Sequence, residues 1–248
     1  SPQEIAVMAR AGTILAKVLK ELKKHARAGV TTKELDELAH KLVLLYGAKP
    51  AFLGYGDGEE AKKFPASVCI SINDEVVHGI PSARVLRNGD VVGLDFGVLL
   101  DGFYADGAVS IGIGSITPQA RKLLEVTEAS LKLGIDAARV GNRIGDIGYA
   151  VQTYVEKKGF GVIRQLVGHG IGRALHEAPQ VPNFGKPGTG ELLRDGMVIA
   201  IEPMVAIGDW NVVLAPDEWA YKTADGSLAA HFEHTVAITK KGPKVLTK

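Results

Sequence analysis

Two apolar runs joined by Asp101-Gly102 commit the middle of this chain to a β-hairpin. Asp-Gly suits a two-residue hairpin turn because both central positions need the left-handed backbone that these residues tolerate. The flanking runs are Val91–Leu100 and Phe103–Ile113. So short a turn fixes the register, setting Leu100 opposite Phe103, Gly97 opposite Asp106 and Asp95 opposite Ala108. Side chains alternate between the faces of a strand, so Asp95 and Asp106 project from one side as diagonal neighbours, roughly 7–8 Å apart at the backbone.

A carboxylate left unpaired in so apolar a strand would cost several kcal/mol even after relaxation, so the pair calls for a cationic partner. The rest of the chain offers further ligands. Glu202, in the strand-like Met197–Ala206, and Glu233, in the strand-like Ala229–Thr239, stand in the second half much as the aspartates stand in the first. His169 lies in Gly168-His169-Gly170-Ile171-Gly172, where glycines on both sides leave the imidazole uncrowded. One imidazole with four carboxylates suits two divalent ions such as Mn²⁺, Fe²⁺ or Co²⁺ better than a sulfur-rich structural zinc site. Two such ions can activate a shared water and polarise a carbonyl, which is hydrolytic chemistry. His78, in Val76-Val77-His78-Gly79, and His176, in Leu175-His176-Glu177-Ala178-Pro179, are non-ligand candidates for holding a substrate or stabilising an oxyanion.

Helical periodicity frames these strands twice. Pro2 opens a helix through Met8, Leu15, Val18, Leu19 and Leu22, and a Thr31–Glu34 capping box opens a second with Leu35, Leu38, Leu42 and Leu45 inward. Thr117-Pro118 starts a third through Leu123, Leu124, Leu131 and Ile135, and Asp146–Lys158 forms a fourth. Gly29 and Gly141 are separated by the same interval as Gly47 and Gly159, so one helix-pair-plus-strands unit is expected twice. The expected fold is α+β, a single domain over 1–248 whose halves, about 1–115 and 116–248, share a central sheet, with a cleft at their junction.

With 29 Lys plus Arg against 28 Asp plus Glu, a net charge of +1 gives no general reason for nucleic-acid or membrane binding. The single cysteine excludes an intramolecular disulfide, no apolar run approaches eighteen residues, and no signal-peptide pattern is present. A reducing cytoplasm is the expected location.

Over nearly its whole length the chain resembles the type I methionine aminopeptidases. The resemblance rests on Val68–Pro81, the eleven-residue spacing of Asp95 and Asp106, Gly168–Arg173 with His176–Pro179, Ile201-Glu202-Pro203-Met204 and Phe232-Glu233-His234-Thr235. It implies the two-halved "pita-bread" fold, with helices outside a curved antiparallel sheet. It also implies two metal ions bridged by Asp106 and Glu233, one completed by Asp95 and the other by His169 and Glu202. His78 is then expected at the scissile amide, aiding departure of the amine, and His176 at the substrate carbonyl, with Glu202 accepting a proton from the attacking water. A methionine pocket of Tyr55, Phe64, Cys69 and Trp219 is implied as well. The expected substrate is the initiator methionine of nascent chains before a small second residue, and the expected enzyme is a monomer that docks transiently on ribosomes.

The sequence departs from the family in an insertion at Gly56–Lys63, and in Leu175, Phe52, Gly97 and Gly107. Xaa-Pro peptidases share the expected ligands but usually carry an extra amino-terminal domain, and type II enzymes carry a long insertion in the second half. A non-catalytic binding module of this fold would be expected to have lost its ligands.

Overall fold

In the computed structural model, which describes residues 1–56 and 63–248, four helices and fifteen strands are found among the described residues. Most of the Gly56–Lys63 insertion therefore lies outside the described residues. The first half contains α1 (Pro2–His25), α2 (Thr32–Leu45), β1 (Lys49–Pro50), β2 (Cys69–Ile72), β3 (Glu75–Val77), β4 (Val91–Leu100) and β5 (Phe103–Gly112). The second begins with α3 (Pro118–Ala137), α4 (Ile144–Lys157), β6 (Gly161–Val162), β7 (Gly168–Gly170) and β8 (Glu177–Val181). It continues with β9 (Val198–Ile201), β10 (Met204–Ala206), β11 (Val212–Leu214), β12 (Tyr221–Thr223), β13 (Ala229–His231), β14 (His234–Thr239) and β15 (Gly242–Val245).

The helices start where local chemistry satisfies their free N–H groups. Thr31 and Glu34 form the reciprocal capping box of α2, the Thr117 hydroxyl accepts from Ala120 N–H, and Asp146 accepts from Arg143 N–H. Gly47 and Gly159 end α2 and α4 with φ of +74° and +82°. One face differs from expectation. The inner stripe of α2 is Leu35, Ala39 and Val43, and Leu45 is 74% exposed. The small Ala39 lets the stripe pack against α1, and rotating the helix onto it carries Leu45 outward.

The hairpin pairs as its turn dictates, with Leu100 opposite Phe103, Gly97 opposite Asp106 and Asp95 opposite Ala108. The strands are distributed over four sheets rather than one shared sheet. Among the links that cross between the halves, two sets bear on the site. β12 of the second half pairs with β3 of the first. Glu233 and Ala108 exchange main-chain hydrogen bonds at 2.9 and 3.3 Å, while the Thr235 hydroxyl accepts from Asp106 N–H and donates to its carbonyl, at 2.8 and 2.7 Å. The second set holds the main chain of Asp106 in the first half and of Glu233 in the second, so packing of the halves also places two metal-ligand candidates.

Candidate active site

Asp95 sits in mid-β4 between Cys69 of β2 and Ala108 of β5, and Asp106 faces Gly97 across the hairpin. Glu202 and Glu233, expected on continuous strands, lie instead in facing interruptions. The β9–β14 ladder ends at Ile201 opposite His234, and the β10–β13 ladder resumes at Met204 opposite His231. Pro203 has no N–H to give a ladder, and Glu233 spends its main-chain groups on Ala108. The two breaks turn both carboxyls toward the hairpin. His169 is on β7, where neighbouring main chain comes very close. A Cβ at Gly168 would fall 2.4 Å from Ala200 O, and one at Gly170 2.2 Å from Ala178 O. His169 Nδ1–H donates to Gly170 O at 2.8 Å, which leaves the Nε2 lone pair facing Glu202 Oε1 at 3.6 Å.

The carboxyls are buried together. Asp95, Asp106 and Glu233 are 8%, 4% and 3% exposed. Burial drives all four carboxyl pKa values up: Asp106 reaches about 7, and Asp95, Glu202 and Glu233 rise well above the usual range, helped by their mutual charge. Burial likewise holds His169 down to about 4 and keeps its imidazole neutral. Asp95 Oδ1 and Glu233 Oε1 are buried without a hydrogen-bond partner. Asp106, His169 and Glu233 present donor atoms all within 4.8 Å of one another. Buried acceptors lacking donors, crowded carboxylates and an imidazole lone pair aimed among them are what a divalent cation would satisfy, so the donor set fits the metal.

Beside them lies a cavity of about 80 Å³. Tyr55, Phe64, Cys69 and Trp219, expected as pocket residues, all line it, together with Phe52 and Leu175. Gly97 makes room for this wall, because a Cβ there would stand 2.7 Å from the Phe52 ring. Phe64 and Trp219 meet edge to face at 5.2 Å, and burial pushes the Cys69 thiol pKa up, which keeps it an apolar wall. His78 and His176 line the same cavity. The Tyr55 hydroxyl hydrogen-bonds His176 Nδ1, and the His176 ring stands edge-on to His169 at 4.3 Å. His78 has φ +61°, and burial lowers its pKa to about 4 although it is hydrogen-bonded to the Trp219 main chain. A larger groove of about 600 Å³ runs between α1, β5 and α3; it reaches Glu233, but His78, His169 and His176 do not line it.

One neighbouring group was not anticipated. His231 is 3% exposed, and its Nε2 lies 3.7 Å from Glu202 and 3.9 Å from Glu233. The available signal was its position two residues before Glu233, which in a strand places both on one face.

Comparison with known proteins agrees with this arrangement. The description of metallopeptidase family M24 matches residues 6–240. A methionine aminopeptidase of Clostridium perfringens is 50% identical, over 98% of this chain and 96% of its own. The crystal structure of methionine aminopeptidase from Rickettsia prowazekii superimposes with a TM-score of 0.96 at 39% identity, covering 100% of this chain and 98% of that one. A prolidase from Pyrococcus horikoshii superimposes less closely, with a TM-score of 0.80 at 25% identity, and only 62% of it is covered. The fold is thus the pita-bread fold, and the chain, with its buried carboxylates and imidazole arranged for a divalent metal, belongs to metallopeptidase family M24.

Proposed function

We propose that this chain is a metal-dependent aminopeptidase that removes the initiator methionine from new proteins and peptides. The observation that carries the reading is one cavity with two kinds of wall. On one side are Asp95, Asp106, His169, Glu202 and Glu233, and on the other Phe64, Cys69 and Trp219. A thioether side chain suits the apolar wall, and placing it there sets its own carbonyl beside the carboxylates.

Two divalent ions, Mn²⁺, Fe²⁺ or Co²⁺, would be held by those five residues and would supply Lewis-acid activation of water and carbonyl. Tyr55 O–H donates to His176 Nδ1, which leaves the ring proton on Nε2 to donate to the substrate carbonyl oxygen. His78 donates one ring N–H to the Trp219 carbonyl and is neutral, so its other nitrogen accepts from the scissile amide N–H and holds the departing nitrogen in place. Glu202 takes the proton of the attacking water and returns it to the departing nitrogen. The reading includes a preference for a small second residue. The chain acts as one catalytic domain, as a cytoplasmic monomer that meets its substrates at the ribosome. No helix among the described residues is long and apolar enough to cross a membrane.

The test is to strip the chain with chelator, restore Mn²⁺, Fe²⁺ or Co²⁺ singly, and follow amino-acid release from Met-Ala-Ser and Ala-Pro-Ser. Metal-dependent release of methionine from the first alone is expected. Cleavage of the second would make the protein an Xaa-Pro peptidase, and bound metal with no cleavage of either would make it a binding module.

A further inference from the structure

Glu202 lies between two imidazoles. Its Oε1 is 3.6 Å from His169 Nε2 and its Oε2 is 3.7 Å from His231 Nε2. The two histidines are held differently. His169 spends Nδ1 on Gly170 O and offers a lone pair, whereas His231 Nε2 is buried with no hydrogen-bond partner. The His231 main chain is clamped by Ser110, whose hydroxyl accepts from its N–H at 2.9 Å and donates to its carbonyl at 2.8 Å. The clamp fixes the main chain from which the ring projects. Its Nε2 is aimed between Glu202 Oε2 and Glu233 Oε2, at 3.7 and 3.9 Å, both beyond direct hydrogen-bond range.

Two facts decide what this nitrogen does. Carboxylates that hold a metal are ionised and only accept hydrogen bonds, so in that state an Nε2 lone pair would be repelled by both neighbours, while an Nε2–H would be attracted to either. Among the described residues the donor atoms that gather within 4.8 Å of one another are those of Asp106, His169 and Glu233, and the His231 ring lies beside them, next to Glu202 and Glu233. It occupies the position of a residue that grips a ligand from behind.

We propose that His231 is a positioning residue of the metal centre, its Nε2–H poised 3.7 Å from Glu202 Oε2 and closing to a hydrogen bond when that carboxylate holds metal, so that Oε1 stays turned toward His169 and the metal. The inference rests on the reading that these carboxylates hold metal. A ligating carboxylate whose outer oxygen is held loses less freedom on binding, and loss of such partners typically costs about 10–100-fold in metal affinity.

Glutamine and asparagine separate this role from general packing. The side-chain amide nitrogen of His231→Gln can reach the place of Nε2, whereas that of His231→Asn reaches only the place of Nδ1. The chelator-stripped full chain and both variants are titrated with Co²⁺, by calorimetry and by visible absorption. The expected result is Co²⁺ binding weakened about 10–100-fold in His231→Asn, affinity restored to near wild type in His231→Gln, and band positions common to all three. Wild-type affinity in His231→Asn would overturn the proposal. So would a band shift in both variants, which would mark His231 as a direct ligand. If the unaltered chain took up no Co²⁺, the metal reading itself would fail and the inference with it.

Discussion

Single atoms in the cavity have separable duties, and substitution should separate them. Removing the Glu233 carboxyl or the His169 imidazole deletes a donor from the group that, among the described residues, has its atoms within 4.8 Å of one another. Glu233→Ala and His169→Ala are expected to lose metal and turnover together, measured as metal per chain and methionine release. His78 lines the cavity without belonging to that group. His78→Ala should keep its metal and lower turnover by about tenfold, the worth of about one hydrogen bond to the departing nitrogen. Full activity in that variant would remove His78 from the reaction. Tyr55→Phe keeps the ring and deletes only the hydroxyl that sets the His176 tautomer. It should lower kcat about tenfold, equivalent to about 1.4 kcal/mol, with KM for a methionyl peptide nearly unchanged. An equal rise in KM instead would assign the hydroxyl to substrate binding. At this scale the sequence was most legible where covalent geometry left least choice. Asp101-Gly102 fixed the hairpin register, and the register fixed how Asp95 and Asp106 stand. His231 escaped notice because its importance depends on where Ser110 and Glu202, distant in sequence, come to rest.

Among the elements, α1 shows how closely the helices are seated. Gly12 lies on its buried face, and a Cβ there would stand 2.2 Å from the main-chain carbonyl of Leu246. Backbone cannot move aside as a side-chain tip can. Gly12→Ala should therefore destabilise the chain by about 1–3 kcal/mol, the usual cost of overpacking, against the small gain alanine normally brings within a helix. Urea unfolding would measure it, and an unchanged midpoint would show that the contact yields. The displacement would reach the site as well. Leu246 N–H donates to Thr235 O, the Thr247 hydroxyl accepts from Thr235 N–H, and the Thr235 hydroxyl holds both main-chain groups of Asp106. Helix starts were readable because caps are local chemistry, as at Thr31 and Thr117. The interruptions at Glu202 and Glu233 were not. Pro203 gave a hint, but the pull of Ala108 on the Glu233 backbone is tertiary, and apolar sequence on both sides reads as unbroken strand. Leu45 misled for the same kind of reason, since a leucine at helical spacing faces inward only if the packed stripe includes it.

For the molecule as a whole, placing four carboxyls at the junction of the halves makes stability depend on pH when metal is absent. In the unfolded chain they have ordinary values near 4, whereas in the folded chain Asp106 lies at about 7 and the other three are raised. The folded state then binds more protons across this interval, and its stability, complete below the unfolded values, is lost as pH rises through the folded ones. The buried histidines act in the opposite sense, with His78 and His169 at about 4 and His231 at about 3 in the folded state. Their contribution increases as pH rises to their unfolded value of 6.5 and is constant above it. The exposed carboxylates Glu4, Glu21 and Glu34, whose values are lowered, change only below 4.5. From pH 6.5 upward the junction carboxyls are therefore unopposed by these groups. The chelator-stripped chain should need progressively less urea to unfold between about pH 6.5 and 8. Manganese should reverse the trend, because it binds the deprotonated carboxylates and competes with protons for them. At a fixed concentration a hundredfold above its Kd at pH 6.5, it should add about 2.7 kcal/mol there, and more at pH 8, where loss of protons from the carboxyls lowers Kd. Unfolding midpoints for the stripped and Mn²⁺-loaded chain across that range are the measurement. A stripped chain as stable at pH 8 as at 6.5 would mean that these carboxyls ionise in the fold as easily as in water. The electrostatic case for a cation at the junction would then be lost, whatever the likeness of the chain to its relatives.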